Sequence, residues 1–223
     1  AGVHSGDELT AIAWLWAKTV PSPNPVLGNV QVPLISSYLI ASKKNRKVWV
    51  EPVIVGSDYS FKIKNGSPTD LSEISSGTKL GRGANFKCLI TGTLITPDYI
   101  KKCGELGEMK SKLMAVVVEG KRKRIYLPPY EEHLHLPKFE GNRPKLGTLS
   151  THPQYMSCTN YGITDIADIF RERQLICLNT ISEIIDELPK KIKKDYEANK
   201  HIFINHKRSI KDINEYAKDM CLL

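Results

Sequence analysis

The 223-residue sequence has no apolar run of the roughly 20 residues that a membrane-spanning helix needs. It has no CxxC pair, and its five cysteines are widely spaced, which argues against a disulfide framework and favours reduced thiols. The N-terminus lacks both a signal peptide and an initiator methionine. We therefore expect a cytoplasmic protein with no membrane segment, and an internal part of a longer polypeptide.

Positive charge exceeds negative charge in only one part of the chain. Residues 1–150 contain 21 Lys and Arg against 13 Asp and Glu, whereas residues 151–223 contain 11 of each, so the net charge of +8 comes from the first part. Such an excess fits a polyanion such as DNA, because each neutralised phosphate releases a counterion. General solubility is the alternative explanation.

Residues 1–130 have the patterns of a mainly antiparallel β module. The apolar runs at 9–20 and 30–41 flank a turn rich in proline and glycine, which predicts a strand, a turn and a strand. Alternating or β-branched residues predict further strands at 48–55, 59–64, 86–90, 111–120 and 125–129. A helix should begin at Pro97 and end near Gly104 or Gly107.

Beyond these strands the sequence predicts loops and helices. Residues 65–83 are rich in Gly, Ser, Thr and Pro and indicate a surface loop, and 131–156 indicate an irregular connection. Residues 157–223 form a predicted helical segment, in which apolar residues from Gln174 to Leu188 recur at helical spacing and Pro189 kinks or ends the helix. The predicted fold class is α+β, with a β module followed by a helical segment.

Motifs for catalysis are incomplete. Leu127-Pro128-Pro129-Tyr130 resembles the Asp-Pro-Pro-Tyr loop of amino-methyltransferases, but leucine cannot accept a hydrogen bond from a base amine, which favours a strand ending in a proline turn. Gly81-Arg82-Gly83 lacks the third glycine of a nucleotide loop. His133 and His135 with Glu131 and Glu132 are typical of a metal site or, more simply, of a surface loop. We assign no catalytic residue and expect no metal.

Two basic turns are the best candidates for contact with nucleic acid, since long cations at hairpin tips can reach phosphates. Their cations are Lys43, Lys44, Arg46, Lys47, Lys121, Arg122, Lys123 and Arg124. Nearby aromatic residues are candidates for stacking on bases: Trp49, Tyr38, Tyr59 and Tyr126. Solvated turns and core aromatics are the alternative interpretation.

Several stretches together resemble one family, the large adenine-specific DNA methylases that contain a zinc ribbon. The matching stretches are IAWLWAKTVPSPNPVLG, VPLISSYLIASKKNRKVWVEPV, CLITGTLITPDYIKKCGELGEMKSKLMAVVVEGKRKRIYLPP and NYGITDIADIFRERQL, which cover most of residues 9–190. In that family this region resembles an insert between the glycine-rich cofactor loop and the Asp-Pro-Pro-Tyr catalytic loop. Neither flanking motif occurs here, so the resemblance implies a non-catalytic fragment.

The resemblance also implies a zinc ribbon whose metal ligands are mostly lost. Zinc-bearing relatives use two cysteine knuckles, and the matching positions here are Ser22 and Leu27, then Cys88 and Thr91. Tetrahedral zinc needs about four nitrogen or sulfur donors, which this set does not supply.

The resemblance implies a DNA-contacting or positioning fragment of an S-adenosylmethionine-dependent adenine-specific DNA methyltransferase. The implied partners are DNA and the catalytic portions of the same polypeptide, and S-adenosylmethionine would be the cofactor of the parent enzyme, with none expected in this chain. A scaffold or protein-interaction insert without nucleic-acid contact is the alternative.

Overall fold

The computed structural model describes residues 6–43, 46–120, 123–134, 144, 146–150, 152 and 157–199. The chain divides into a first compact unit, Ala1–His135 with Gly147–Ile169, and a second, Leu136–Leu146 with Phe170–Leu223. The fold is α+β, as the sequence predicts, with antiparallel sheets and a long helix toward the C-terminus. None of the helices in the described residues is long and apolar enough to cross a membrane.

The first unit is built around three antiparallel sheets. The four-stranded sheet has the order β2-β1-β8-β9, the three-stranded sheet has the order β3-β4-β5, and β6 pairs with β7. The strands are β1 (Ala11–Pro21), β2 (Gln31–Leu34), β3 (Leu39–Lys43), β4 (Arg46–Val55), β5 (Asp58–Gly66), β6 (Phe86–Lys87), β7 (Leu94–Ile95), β8 (Lys110–Gly120) and β9 (Lys123–Leu127).

The α helices are α1 (Leu71–Ser76), α2 (Pro97–Glu105) and α3 (Glu172–Ala198). The prediction for α2 is confirmed at both ends. The helix ends at Glu105, next to the predicted Gly104, and it begins at Pro97, which suits a first turn. The Thr96 side chain caps this start by accepting a hydrogen bond from the Tyr99 amide at 3.3 Å. The predicted helix from Gln174 is also confirmed. Pro189, however, lies inside α3, so the helix does not end there, and the alternative that it kinks the helix stays a prediction. Its neighbours are good helix formers, which limits the effect of the missing amide.

Three clusters of buried residues form the core of the first unit. The first cluster surrounds Val20, Cys88 and Ile100, the second lies under β4 and β5, and the third lies between β1, β8 and β9. Strand alternation explains the second cluster, because Tyr59 and Phe61 of β5 are buried while Lys62 between Phe61 and Ile63 is exposed. These cores fix the strands that carry the candidate sites.

The prediction of a surface loop at 65–83 is wrong in part. Its sequence Asp70-Leu71-Ser72-Glu73 begins α1, where the Asp70 carboxylate accepts a hydrogen bond from the Glu73 amide at 3.0 Å. Thr78 is fully buried, and its hydroxyl accepts a hydrogen bond from the Ile35 amide at 2.9 Å. This segment therefore anchors the link between β2 and β3.

The strand predicted over 30–41 is divided between two sheets. Its middle lies outside the named strands and bonds to the segment around α1: the Tyr38 amide donates to the Ile74 carbonyl, and the Thr78 amide donates to the Ile35 carbonyl, each at 2.8 Å. Gly77 permits this close approach, because its φ is +56° and a Cβ there would lie 2.4 Å from the Ile35 oxygen.

The boundaries drawn from the sequence at 131–156 and 157–223 differ from the observed division. Residues 157–169, assigned to the helical segment, form the 3-10 turns Ser157–Tyr161 and Ile166–Ile169 and group with the first unit. The first of these turns packs on α2, where Gly104 lies against the Tyr161 backbone. The end of the predicted helical segment, residues 200–223, lies outside the described residues.

Candidate nucleic-acid interface and a buried turn cluster

The first basic turn joins β3 to β4, as predicted. Lys43 and Arg46 are paired directly across the two strands, and Lys47 follows Arg46 opposite Gly66 of β5. Lys44 and the side chain of Arg46 lie outside the described residues.

The second basic turn joins β8 to β9. Lys123 and Arg124 are exposed at the start of β9, with Arg124 opposite Glu119 of β8, while Lys121 and Arg122 lie outside the described residues. The ion pairs found among the described side chains do not involve Lys43, Lys47, Lys123 or Arg124. These cations are therefore available to phosphates.

The two tips belong to different sheets. The first ends the three-stranded sheet, and the second ends the four-stranded sheet. Strand pairing therefore does not join the predicted cations into one continuous row, and each tip is a separate candidate contact.

A further basic surface, which the sequence patterns do not predict, lies on the outer face of β4 and β5. Trp49 pairs with Lys64 and Glu51 pairs with Lys62, and residues paired in this way share one face of a sheet. The Lys64 ammonium lies 3.4 Å from the Glu51 carboxylate, in an exposed ion pair. The alternation Phe61-Lys62-Ile63-Lys64 in the sequence indicates that Lys62 and Lys64 share a face of a strand. Only the pairing of β4 with β5 shows that Lys47 and Trp49 lie on that same face.

Only part of the predicted aromatic set is accessible. Tyr38 and Tyr59 are 7% and 3% exposed, so their prediction as stacking platforms is wrong, and they belong to the core. Strand register explains Tyr59, which alternates with exposed Lys62 and Lys64 and faces the interior, whereas Tyr38 lies between β2 and β3 and bonds to the Ile74 carbonyl. Trp49 and Tyr126 are half-buried, and Trp49 shares its face with Lys64.

The positions that the family resemblance assigns to zinc ligands come together in the structure. The Ser22 hydroxyl lies 3.6 Å from the Cys88 thiol, in a buried contact between residues 66 positions apart. The Thr91 amide donates a hydrogen bond to the same sulfur at 3.5 Å, and Leu27 packs against the core cluster that contains Cys88. We call Ser22, Leu27, Cys88 and Thr91 the turn cluster.

Hydrogen bonds hold the two turns of this cluster to each other. The Cys88 amide donates to the Thr93 carbonyl at 2.7 Å, and the Gly92 amide donates to the Cys88 carbonyl at 2.9 Å, which closes the second turn. Asn24 in the first turn donates its side-chain amide to the Thr93 hydroxyl at 3.5 Å. Two polar contacts therefore join the first turn to the second, one between Ser22 and Cys88 and one between Asn24 and Thr93.

The donor set of the turn cluster does not fit a zinc ion. It offers one thiol, two hydroxyls and the hydrocarbon side chain of Leu27, whereas structural zinc takes about four nitrogen or sulfur ligands. The described residues contain no group of three or more His, Cys, Asp and Glu side chains placed to hold a metal. Burial raises the pKa of the Cys88 thiol, but hydrogen bonds from Thr91, Ser22 and the Ile90 amide outweigh it, and the pKa is lowered.

The remaining candidate motifs take structural positions. β9 ends at Leu127, so Leu127-Pro128-Pro129-Tyr130 is a strand that ends in a proline turn. Glu131–His133 is a short 3-10 turn and not a strand, and the His133 Nδ1 accepts a hydrogen bond from the Trp14 indole at 3.2 Å. His135 and the side chain of Glu132 lie outside the described residues.

Comparison of the chain with family models, with curated proteins and with solved structures gives no match in any of the three.

Proposed function

We propose that this chain is a DNA-contacting, non-catalytic part of an S-adenosylmethionine-dependent adenine-specific DNA methyltransferase. The observation that carries the proposal is the turn cluster, because two turns far apart in sequence meet at the four positions that correspond to zinc ligands in the resembling family. A metal-free ribbon stabilised by packing and hydrogen bonds accounts for this arrangement.

The DNA contact is assigned to the two basic hairpin tips. Adenine methylation requires the base to leave the duplex, and the duplex must be held by its backbone while the base is turned out. Exposed cations on short, rigid hairpins suit that task, because they bind phosphates without reading the sequence. The catalytic loop and the S-adenosylmethionine site would lie in other portions of the parent polypeptide, which would act in the cytoplasm.

A titration of duplex DNA against the 223-residue chain at about 50 and 200 mM salt tests this role. The test variant replaces Lys43, Lys44, Lys121, Arg122, Lys123 and Arg124 with Gln. A matched control replaces six exposed lysines elsewhere, namely Lys101, Lys102, Lys190, Lys191, Lys193 and Lys194. The slope of log K against log salt is negative. Its magnitude should decrease by about 0.9 for each phosphate that the test variant no longer neutralises, and should decrease less in the control.

Equal binding by the test and control variants would contradict the assignment to the tips. Negligible binding by all proteins would contradict any DNA contact. Methyl transfer by the chain alone, measured with duplex DNA and S-adenosylmethionine, would contradict its non-catalytic role.

One observation favours the second candidate function, a protein-interaction insert. α3 exposes a stripe of large apolar side chains at helical spacing, and Leu178, Ile181 and Ile185 are each 43–50% exposed. Such a stripe is typical of a surface that packs on another protein. This candidate predicts DNA affinity that is negligible and insensitive to the hairpin cations.

A further inference from the structure

Part of β4 forms an open sheet edge. β4 pairs with β5 from Lys47 to Val55, but with β3 only from Arg46 to Trp49. The two-residue turn at Gly56-Ser57 makes Val55 and Asp58 a hydrogen-bonded pair, so alternate residues, Pro52 and Ile54 among them, direct their backbone groups away from β5.

A backbone hydrogen bond supports this alternation. The Val50 amide, two residues before Pro52, donates to the Tyr38 carbonyl at 2.9 Å on the side away from β5. Beyond Val50, no strand of the described residues pairs with this edge. The Ile54 N–H and the carbonyls of Pro52 and Ile54 are therefore available to another extended chain.

Pro52 limits what can pair there. It has no N–H, and it occupies a position where the missing donor would face outward, as prolines at sheet edges do. The edge offers one donor and two acceptors over three residues. That is enough for a short peptide and unfavourable for long sheet-to-sheet association.

A groove of about 410 Å³ runs beside this edge. One wall comes from β4 and includes Pro52 and Ile54, and the other comes from the start of α1 and includes Asp70, Glu73 and Ile74. Both apolar and polar residues therefore line a cleft that is open on one side to a strand edge.

The charges in the groove are mainly negative. The acidic residues Asp70 and Glu73 and the basic residue Lys87 line it, whereas strand alternation puts the Glu51 side chain on the opposite face of β4 from Pro52 and Ile54. Glu51 is paired with Lys64 outside the groove, and Asp70 caps α1. The described ion pairs do not include Glu73, so its carboxylate is the one most available to a ligand.

Tyr38 supplies a second polar group in the groove. The residue is 7% exposed and lines the cavity. Burial and the nearby Glu73 carboxylate raise the pKa of Tyr38 to about 12. A neutral hydroxyl beside an unpaired carboxylate is an arrangement that a guanidinium group can satisfy, because Arg donates in several directions.

We propose that this groove binds an extended basic peptide, which adds a short strand to the open edge of β4 and places an arginine against Glu73 and Tyr38. Main-chain hydrogen bonds to Pro52 and Ile54 give affinity, and the arginine gives specificity. The partner is thus a protein segment rich in Arg. This goes beyond the proposed function, since nucleic acid would avoid a groove lined with carboxylates.

Isothermal titration of the 223-residue chain with the peptide acetyl-Val-Arg-Val-Arg-Val-amide tests the proposal. Alternation puts both arginines on one face of the peptide strand. A matched peptide with citrulline in place of arginine keeps the shape and removes the charge. The arginine peptide should bind at least about tenfold more tightly, since a hydrogen bond to a charged group discriminates by about that factor.

Three variants locate the binding. Glu73→Gln and Tyr38→Phe remove the side-chain partners, and each should weaken binding of the arginine peptide, Glu73→Gln by about tenfold. Ile54→Pro removes the edge N–H at a position whose donor faces outward, so it should fold and weaken both peptides. Glu119→Gln, at an exposed carboxylate of β8, is the control and should bind as the native chain does.

Circular dichroism and thermal melting establish that each variant is folded before it is compared. Equal affinity of the arginine and citrulline peptides, or native affinity in folded Glu73→Gln, would overturn the proposal. The absence of binding of the arginine peptide at millimolar concentration would overturn it as well.

Discussion

The turn cluster and the basic hairpin tips are built in opposite ways. In the turn cluster, Ser22 and Cys88 are 6% and 1% exposed, and hydrogen bonds join them to residues far away in the sequence. At the tips, Lys43, Lys123 and Arg124 are exposed and form none of the ion pairs found among the described side chains. The polar groups of the first region bond within the fold, and the charges of the second face solvent.

This difference separates stability from binding. A change in the turn cluster should alter the free energy of unfolding, because its groups are buried and partnered. A change at the tips should leave stability nearly unchanged, because substitutions of solvated surface charges cost little. Substitutions in different regions of the chain test that separation, in order of decreasing effect.

Four cysteines at the positions of the turn cluster should convert it into a zinc site. The variant Ser22→Cys, Leu27→Cys, Thr91→Cys, together with Cys88, supplies four thiolates on the two turns. At free zinc about 1,000 times the Kd, binding should stabilise the fold by about 4 kcal/mol. Thermal melting with and without zinc measures the gain, and the absorption of tetrahedral cobalt thiolate reports the geometry.

The native chain and the variant without Leu27→Cys are the controls, with one and three cysteines in the cluster. Both should gain much less from zinc than the four-cysteine variant. A folded four-cysteine variant that binds neither zinc nor cobalt would mean that the two turns do not have the geometry of a ribbon.

The sequence predicts the strands and helices of the first unit better than it predicts the meeting of the two turns. Alternation and turn residues are local signals, and they correctly placed β1, β4, β5, β8, β9 and α2. The contact between Ser22 and Cys88 spans 66 positions, and no local pattern encodes it. That contact required the fold.

The failures of prediction have the same origin. The segment 65–83 looks like a loop because its glycines and serines lack periodicity, but Thr78 and Gly77 are fixed by bonds and close contacts to Ile35. Tyr38 and Tyr59 lie near basic turns in the sequence and are nevertheless buried, Tyr59 by its strand register and Tyr38 in the link between β2 and β3. The hairpin cations could be named from composition, whereas the groove beside β4 required the fold.

Gly104→Ala should destabilise the chain by about 1–3 kcal/mol. A Cβ at Gly104 would lie 2.0 Å from the Tyr161 carbonyl oxygen, where α2 packs on the turn Ser157–Tyr161. Backbone cannot move aside as a side chain can, so the clash should outweigh the gain of about 1 kcal/mol in helix propensity. Urea unfolding measures the change.

Glu105→Ala, at the exposed neighbour on α2, is the matched control and should change stability by less than about 0.5 kcal/mol. If Gly104→Ala were as stable as the control, the turn at 157–161 would not pack on α2 in solution. The grouping of residues 147–169 with the first unit would then be wrong.

Lys62→Gln with Lys64→Gln tests whether the outer face of β4 and β5 contributes to DNA contact. If both lysines contact phosphates, the salt slope should fall by about 1.8, and stability should be nearly unchanged. Of the two single variants, Lys62→Gln should reduce the salt dependence more than Lys64→Gln, because Lys64 is already paired with Glu51 at 3.4 Å. Lys101→Gln with Lys102→Gln is the control on α2. A slope equal to that of the control would confine DNA contact to the tips.

The smallest effect is expected at Asp58, where a surface charge joins two sheets. Its carboxylate accepts hydrogen bonds from the Tyr59 amide at 2.7 Å and from the Lys112 ammonium at 3.3 Å, and Lys112 also lies 3.9 Å from the centre of the Tyr59 ring. The Tyr59 amide first, and then Lys112, lower the pKa of Asp58 below its usual value of 3.8. Asp58 is exposed like the cations of the hairpin tips, but it has partners within the fold like the residues of the turn cluster.

A lowered carboxyl pKa stabilises the fold above the unfolded pKa, and that stability is lost as the pH falls through the lower, folded pKa. Asp58→Asn should therefore cost a few tenths of a kcal/mol at pH 7, since solvent screens so exposed a pair, and the difference should shrink toward zero well below pH 3.8. Urea unfolding at neutral and acidic pH measures it, with Asp186→Asn on exposed α3 as the control. A difference that grows on acidification would mean that Asp58 is not stabilised as a carboxylate in the folded chain. A neutral-pH cost of several kcal/mol would instead place this contact with the buried cluster.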